Sequence, residues 1–264
     1  MRRVTSPQNP RLTEARRLAQ SSRDRRKTGR CVLEGEHLVA VYCERIGSPE
    51  TLIVVEEALA DPRVRALANG VPAADALVVP RRLFEEIGTL PAEVGVLAIV
   101  RTPRPALPPP ADFCLLLEDI QDPGNVGAML RTAAAAGVRQ ALLSRHCAFA
   151  WSPKVLRAGQ GAHFLLTIVE DVDLEGWAAS FRSRNGRVLA LVAQGGTDLY
   201  RTALRGPLAL AVGNEGAGLS ARLLAAATDP VTIQMPGRTE SLNAAAAAAV
   251  ALFECVRQRH LSQD

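Results

Sequence analysis

The sequence predicts an α/β protein in two parts, a small N-terminal α/β domain followed by a domain built on a parallel sheet. Three observations predict it. The chain has 264 residues and is 48% hydrophobic, enough to bury two cores. The Pro-rich tract at 101–112, RTPRPALPPPAD, can continue neither a helix nor a central strand. It separates a domain over 1–102 from one over 113–264, with 103–112 as linker. The apolar runs after it are continuous rather than alternating, the pattern of strands covered on both faces by helices.

In chain order, an arginine-rich helical stretch covers about Arg11–Arg26. CVLEGEHLVAVYCERIG then begins apolar and turns helical. TLIVVEEAL supplies a strand, Pro80–Ile87 a short helix and VGVLAIV another strand. In the second part FCLLLEDI is a strand, and Val126–Ala136 is a helix that stops at Gly137. QALLS is a strand, Pro153–Gln160 a short helix, FLLTIV a strand, and Leu174–Arg184 a helix. RVLALVA and PLALAVG are strands, Ala221–Ala227 is a helix, VTIQM is a strand, and Ser241–Gln258 forms a long terminal helix.

Composition narrows the function. The five cysteines, Cys31, Cys43, Cys114, Cys147 and Cys255, are odd in number and lack a C-x-x-C; the four histidines are scattered. No disulfide framework and no metal are expected. No apolar run suits a membrane span or a secretory signal, so a cytoplasmic location is expected. Residues 1–30 hold ten Lys/Arg and two Asp/Glu, leaving 21 basic and 25 acidic residues for the rest. Positive charge gathered at one end suits a polyanion, nucleic acid before membrane, with Arg16, Arg17, Arg25 and Arg26 as candidate RNA contacts. A solvated arginine-rich helix explains the charge equally well. The 4% aromatic content disfavours reading bases on an aromatic platform.

Ligands of open parallel sheets bind beyond the carboxyl ends of the strands. Three segments there stand out. In EDIQDPGNVGAMLRTAAAAGV (118–138), Asn125 can cap the helix after the Asp-Pro-Gly turn. Arg131 interrupts a run of small and apolar residues and would be costly if buried without an anion. LALAVGNEGAGLS (208–220) runs a buried strand into Gly213, Asn214, Glu215 and Gly216. Its spacing is neither G-x-G-x-x-G nor a phosphate-binding P-loop, and by itself it reads as a turn. IQMPGRTESLNAAAAAAVALFE (233–254) delivers Ser241 and Asn243 to the start of a helix, which Ser241 or Thr239 can cap.

The order and spacing of the three segments carry more than any one of them. Asn-x5-Arg follows the first strand of the second part, Gly-Asn-Glu-Gly follows a late strand, and Met-Pro-x4-Ser-Leu-Asn precedes the last helix. Together they resemble the SpoU, or TrmH-like, family of RNA ribose 2′-O-methyltransferases within the SPOUT superfamily. VTSPQNPRL (4–12), CVLEGEHLV (31–39) and EVGVLAIV (93–100) resemble that family's appended L30e-like substrate-binding domain.

The resemblance implies a C-terminal trefoil knot, against the usual rule for chain threading. It also implies S-adenosyl-L-methionine as cofactor and a homodimer with each site near the interface. It places Val212, Gly213, Asn214, Glu215, Gly216, Ile233, Met235, Ser241, Leu242 and Asn243 at the cofactor, with Gln194–Gly196 adding a loop. It assigns Asn125, Arg131, Glu215, Ser241 and Asn243 to catalysis. Arg131 is expected to clamp an RNA phosphate and stabilise a developing alkoxide, because a guanidinium does not readily surrender a proton. Ser241 and Asn243 would orient the 2′-hydroxyl, and Glu215 would fix its loop. The appended domain points to ribosomal RNA, with transfer RNA as the alternative. A non-catalytic RNA-binding protein on the same fold is the competing class.

Overall fold

The computed structural model describes residues 1–87, 95–237 and 241–260. Val94, the first residue of the expected strand VGVLAIV, Glu93 of the family-like segment 93–100, and Thr239, a candidate helix cap, lie outside them. The chain forms two units, Met1–Pro103 with Trp151–Phe164, and Arg104–Ala150 with Leu165–Asp264.

The first unit contains β1 (Arg2–Arg3), α1 (Pro10–Gln20), α2 (Ser22–Thr28), β2 (Arg30–Glu34), α3 (Glu36–Arg45), β3 (Thr51–Val55), α4 (Pro62–Gly70), β4 (Ala76–Val79), α5 (Arg81–Glu85) and β5 (Val96–Arg101). The arginine-rich stretch is two helices, not one. Asn9 caps α1, with Pro10 in its first turn. Extended Ser21 then breaks the helix and accepts from the Asp24 amide at 3.1 Å to begin α2. Gly29, at φ 65°, ends α2. The strand order is β1-β4-β3-β5-β2, with β5 antiparallel to both neighbours and the other pairs parallel. Leu12 and Leu18 of α1 pack with Ile53, Leu77, Phe84 and Leu97 in one apolar cluster.

The second unit holds β6 (Phe113–Leu117), α6 (Pro123–Ala135) and β7 (Gln140–Leu143). Next comes α7 (Pro153–Gly159), which the sequence reading places in the second domain but which belongs to the first unit. The second unit resumes with β8 (Thr167–Val169), α8 (Leu174–Arg182), β9 (Arg187–Leu191), β10 (Thr197–Asp198), β11 (Leu208–Val212), α9 (Ala221–Ala226), β12 (Asp229–Thr232) and α10 (Ala244–His260). All seven strands are parallel, in the order β10-β12-β9-β11-β6-β7-β8. This is the parallel sheet that the continuous apolar runs predict: every residue of β6, β7 and β11 is buried.

Most expected strands shorten at an end, FCLLLEDI to Phe113–Leu117 and TLIVVEEAL to Thr51–Val55 among them, and two cases bear on the site and its surroundings. FLLTIV keeps only Thr167–Val169, because Gln160 and Gly161 take positive φ and Ala162–Phe164 forms a 3-10 turn. VTIQM gives up Ile233–Met235, which leave the sheet just where a ligand-facing loop is needed.

Candidate active site

The loops that carry the three motifs leave the carboxyl ends of adjacent strands. Gln194–Gly196 follow β9, Gly213–Gly216 follow β11, Ile233–Met235 follow β12, and residues 118–122 follow β6. These strands are neighbours, in the order β12-β9-β11-β6, so residues far apart in sequence share one end of the sheet.

Asp122, not Asn125, caps α6: its Oδ1 accepts from the Asn125 amide at 2.8 Å. The Asn125 side chain is thereby left for another task. Its Nδ2 donates to Glu215 Oε1 at 2.8 Å, and its Oδ1 accepts from Asn243 Nδ2 at 3.1 Å. Asn243 Oδ1 in turn accepts from the amides of Ala245 and Ala246 at the start of α10. One side chain from each of the three motifs thus meets in a single hydrogen-bonded row, and Asn243, not Ser241, caps the helix.

A second row fastens the loops beneath it. Asn214 Nδ2 donates to the Asp119 carbonyl at 2.9 Å, and its Oδ1 accepts from the amides of Gly216 and Ala217. Asn214 and Gly218 exchange backbone bonds of 3.0 and 2.9 Å. Both oxygens of Glu118 are taken by the Ser220 amide and hydroxyl, at 2.7 Å each. Asp119, at φ 55°, is held by Ser144. The Asn214 side chain, expected at the cofactor, is therefore spent on the loop. The sequence reading missed Glu118, Asp119 and Ser220, which present only ordinary loop chemistry until the two strands are adjacent.

Gly213 shows how tight this loop is. A methyl there would fall within 3.0 Å of the Gly218 and Leu219 backbone. Gly196 is similarly pressed against Val231 and Thr232. By contrast, Gly195 and Gly218, both at positive φ, face open space.

Val212 and Ile233 are buried, Met235 is partly exposed, and Leu242 stays 39% exposed at the end of the sheet. Apolar walls, loops stripped of Cβ atoms, and a single carboxylate already bonded to Asn125 fit a cofactor that combines an adenine with a cationic sulfonium. Ser241 is exposed and makes no hydrogen bond to the Asn125 row among the described residues.

Arg131 is exposed, and no described residue pairs with it. It therefore carries no burial cost and is open to an anion. It stands six residues after Asn125 on α6, about 120° around and 9 Å along the helix, outside the Asn125–Glu215–Asn243 row of its own chain.

At the basic end the structure redistributes the expected roles. Arg25 is buried, with its guanidinium on the carbonyls of Leu18 and Ala19 at the end of α1. It cannot contact RNA without unfolding that turn. Burial pulls its pKa down. Arg16 pairs with Glu86 at 3.0 Å and Arg17 approaches Asp24 at 3.8 Å, while Arg26 is exposed. Arg2, Arg23 and Lys27 are exposed without a partner among the described residues. Net charge revealed the patch, but only packing distinguishes free cations from structural ones.

Comparison with known proteins agrees with this architecture. The profile of the SpoU rRNA Methylase family matches residues 112–253, and that of the MRM3-like substrate binding domain matches residues 9–98. An uncharacterized tRNA/rRNA methyltransferase of Synechocystis is 33% identical, over 97% of this chain and 94% of its own length. The 23S rRNA (guanosine(2553)-2′-O)-methyltransferase RlmP of Bacillus subtilis is 30% identical, over 96% and 98%. The crystal structure of the SpoU methyltransferase AviRb from Streptomyces viridochromogenes, in complex with the cofactor AdoMet, superposes with a TM-score of 0.85. It is 27% identical over 96% of this chain and all of that one.

The fold and the convergent motifs define an RNA methyltransferase of the SPOUT class. The chain belongs to the SpoU rRNA methylase family and is an S-adenosylmethionine-dependent RNA ribose 2′-O-methyltransferase.

Proposed function

We propose that the protein methylates the 2′-oxygen of a nucleotide in ribosomal RNA, with Asn125, Glu215 and Asn243 as the organising centre of the site. The observation that carries this reading is the hydrogen-bonded row that joins one residue from each motif. The MRM3-like profile over residues 9–98 and the 23S rRNA substrate named for the Bacillus relative support ribosomal over transfer RNA. The first unit is assigned to RNA capture, through its free cations Arg2, Arg23 and Lys27 with Arg26 and Arg17 beside them. The strand order, with β11 and β12 on either side of β9, suits the knotted threading that the family resemblance implies.

Bound S-adenosylmethionine supplies an electrophilic methyl. This chain's residues position the nucleophile and manage its charge. Val212–Gly216, Ile233, Met235 and Leu242 hold the cofactor by backbone groups and apolar contact. Glu215 orients Asn125, and Asn125 fixes Asn243. Ser241, exposed at the head of α10, orients the ribose hydroxyl. Arg131 clamps the adjoining phosphate and offsets negative charge on the 2′-oxygen as its proton passes to solvent water. Because Arg131 stands apart from its own chain's row, it serves the site of a second copy in a homodimer. The exposure of Phe253 (50%) on α10, which packs beside α6, supports that assignment.

Methyl-labelled S-adenosylmethionine with unmodified rRNA or tRNA transcripts, followed by digestion to nucleosides, tests the substrate. Label in a 2′-O-methyl nucleoside from rRNA alone is expected; label from tRNA alone would reassign the first unit. Arg131→Ala should abolish transfer while cofactor affinity holds. Mixing Arg131→Ala with an Asn125→Ala chain should restore part of the activity if the arginine acts across a dimer.

A further inference from the structure

The edge of the seven-stranded sheet opposite the Asn125 row carries its own cluster of positive charge. Arg139 immediately precedes β7, and Arg205 lies three residues before β11. Arg259, near the end of α10, folds back between the loops leading into β11 and β6. Its Nη2 donates to the carbonyls of Gly206 at 2.7 Å and Asp112 at 3.3 Å, and its guanidinium lies 4.1 Å from the centre of the Phe113 ring. Arg139 and Arg259 line one cavity of about 500 Å³, in which Asp112 is the sole carboxylate.

Strands β11, β6 and β7 are adjacent and parallel, so the segments that carry Arg205 and Arg139 enter the same end of the sheet, with the Arg259 guanidinium on the carbonyls of Gly206 and Asp112 between them. Arg139 and Arg205 are exposed and have no partner among the described residues. The next strand, β9, treats its arginine differently: Asp229 neutralises Arg187 at 2.8 Å. Neither Arg139 nor Arg205 satisfies any group of the fold among the described residues. Their fork geometry suits phosphate oxygens. Their spread along an edge, rather than convergence on one point, suits successive phosphates of a strand.

We propose that this edge is a second contact surface for the RNA backbone, made by Arg139, Arg205 and Arg259 at the far end of the sheet from the methyl-transfer site. The proposal rests on the RNA-methylating reading above and extends the footprint on the substrate beyond the first unit and the site.

The test compares wild type with an Arg139→Glu, Arg205→Glu double variant in binding a fluorescein-labelled single-stranded oligouridylate across a salt series. Arg259 is left in place because it braces Phe113. Removing two phosphate contacts should flatten the slope of log K against log salt by about 1.4. Affinity should fall at least about tenfold at low salt. An Arg139→Gln, Arg205→Gln variant should shift both in the same direction by less, and retained S-adenosylmethionine affinity would show that the fold is intact. An unchanged slope and affinity in a double variant whose wild type binds the oligonucleotide overturns this surface and leaves the enzyme reading untouched. Inorganic phosphate bound at this edge with no change in the RNA slope makes it a free-anion site and also overturns the proposal. A wild type that neither binds nor methylates RNA overturns both.

Discussion

Gly213→Ala tests the tightest point of the site. Its added methyl falls within 3.0 Å of backbone atoms of Gly218 and Leu219, where ordinary contact begins at 3.4 Å. Backbone cannot rotate away as a side chain can, so the 218–219 segment must retreat by about 1 Å. That movement opens the two bonds between Asn214 and Gly218, of 3.0 and 2.9 Å. Overpacking costs about 1–3 kcal/mol, and each lost bond about 0.5–1.5 kcal/mol. The sum centres on about 4 kcal/mol, and in a domain of this size lowers Tm by on the order of 10 °C. The same shift moves Glu215 off Asn125, so S-adenosylmethionine affinity should fall at least about tenfold, which is about 1.4 kcal/mol. Scanning calorimetry and titration calorimetry read the two effects. Gly216→Ala is the control in the same loop: its methyl meets Asn214 Oδ1 at an ordinary 3.6 Å, and Tm should hold. If Gly213→Ala melts and binds like wild type, the loop is not packed as described and the reasoning fails.

Other perturbations separate neighbouring roles. Asn125→Asp sets a carboxylate against Glu215 where Asn125 Nδ2 now donates at 2.8 Å; transfer should drop at least about tenfold near neutral pH. One of the opposed carboxyls then titrates high in the folded state, so stability is fullest at low pH and is lost as pH rises through that value. Adding Glu215→Gln should restore much of the rate, and wild-type activity for Asn125→Asp at every pH would remove this contact from the mechanism. Arg25→Ala strips the carbonyls of Leu18 and Ala19 of their partner and should cost about 2–3 kcal/mol in thermal unfolding. The salt slope of RNA binding should stay as in wild type, whereas Arg23→Ala with Lys27→Ala should flatten it by about 1.4. A slope change for a folded Arg25→Ala protein would return that residue to the RNA interface. Glu254 accepts two bonds of 2.7 Å from Arg257 and one of 2.8 Å from Gln258; Arg257 first, and Gln258 after it, hold its carboxyl below the ordinary range. A depressed carboxyl contributes stability at neutral pH and loses it as pH falls through its folded value. Wild type should therefore lose Tm on acidification below about pH 4 more steeply than Glu254→Gln, and parallel curves would deny the pair a role.

Local chemistry and residue pattern carry much of this fold. Continuous apolar runs such as FCLLL and LALAV, too short for helices and bounded by turn residues, read as strands covered on both faces, and the parallel sheet followed. Motif spacing carried the family, the cofactor and the identities of Asn125, Glu215 and Asn243. Signals too short for a pattern were missed: two-residue β1 and β10, and α4, β4 in a stretch without clear periodicity. Tertiary structure decided which side chain does which task. Ser21 and Arg25 show why within one helical stretch: an arginine run looks uniformly basic until packing turns one guanidinium inward onto the carbonyls that end α1. Asn125 and Asn214 are the same residue type in similar loops, yet one is left facing Glu215 and the other is consumed by its own loop. A hydrogen-bond partner 90 residues away along the chain leaves no local trace in sequence; it exists only once β6 and β11 lie side by side.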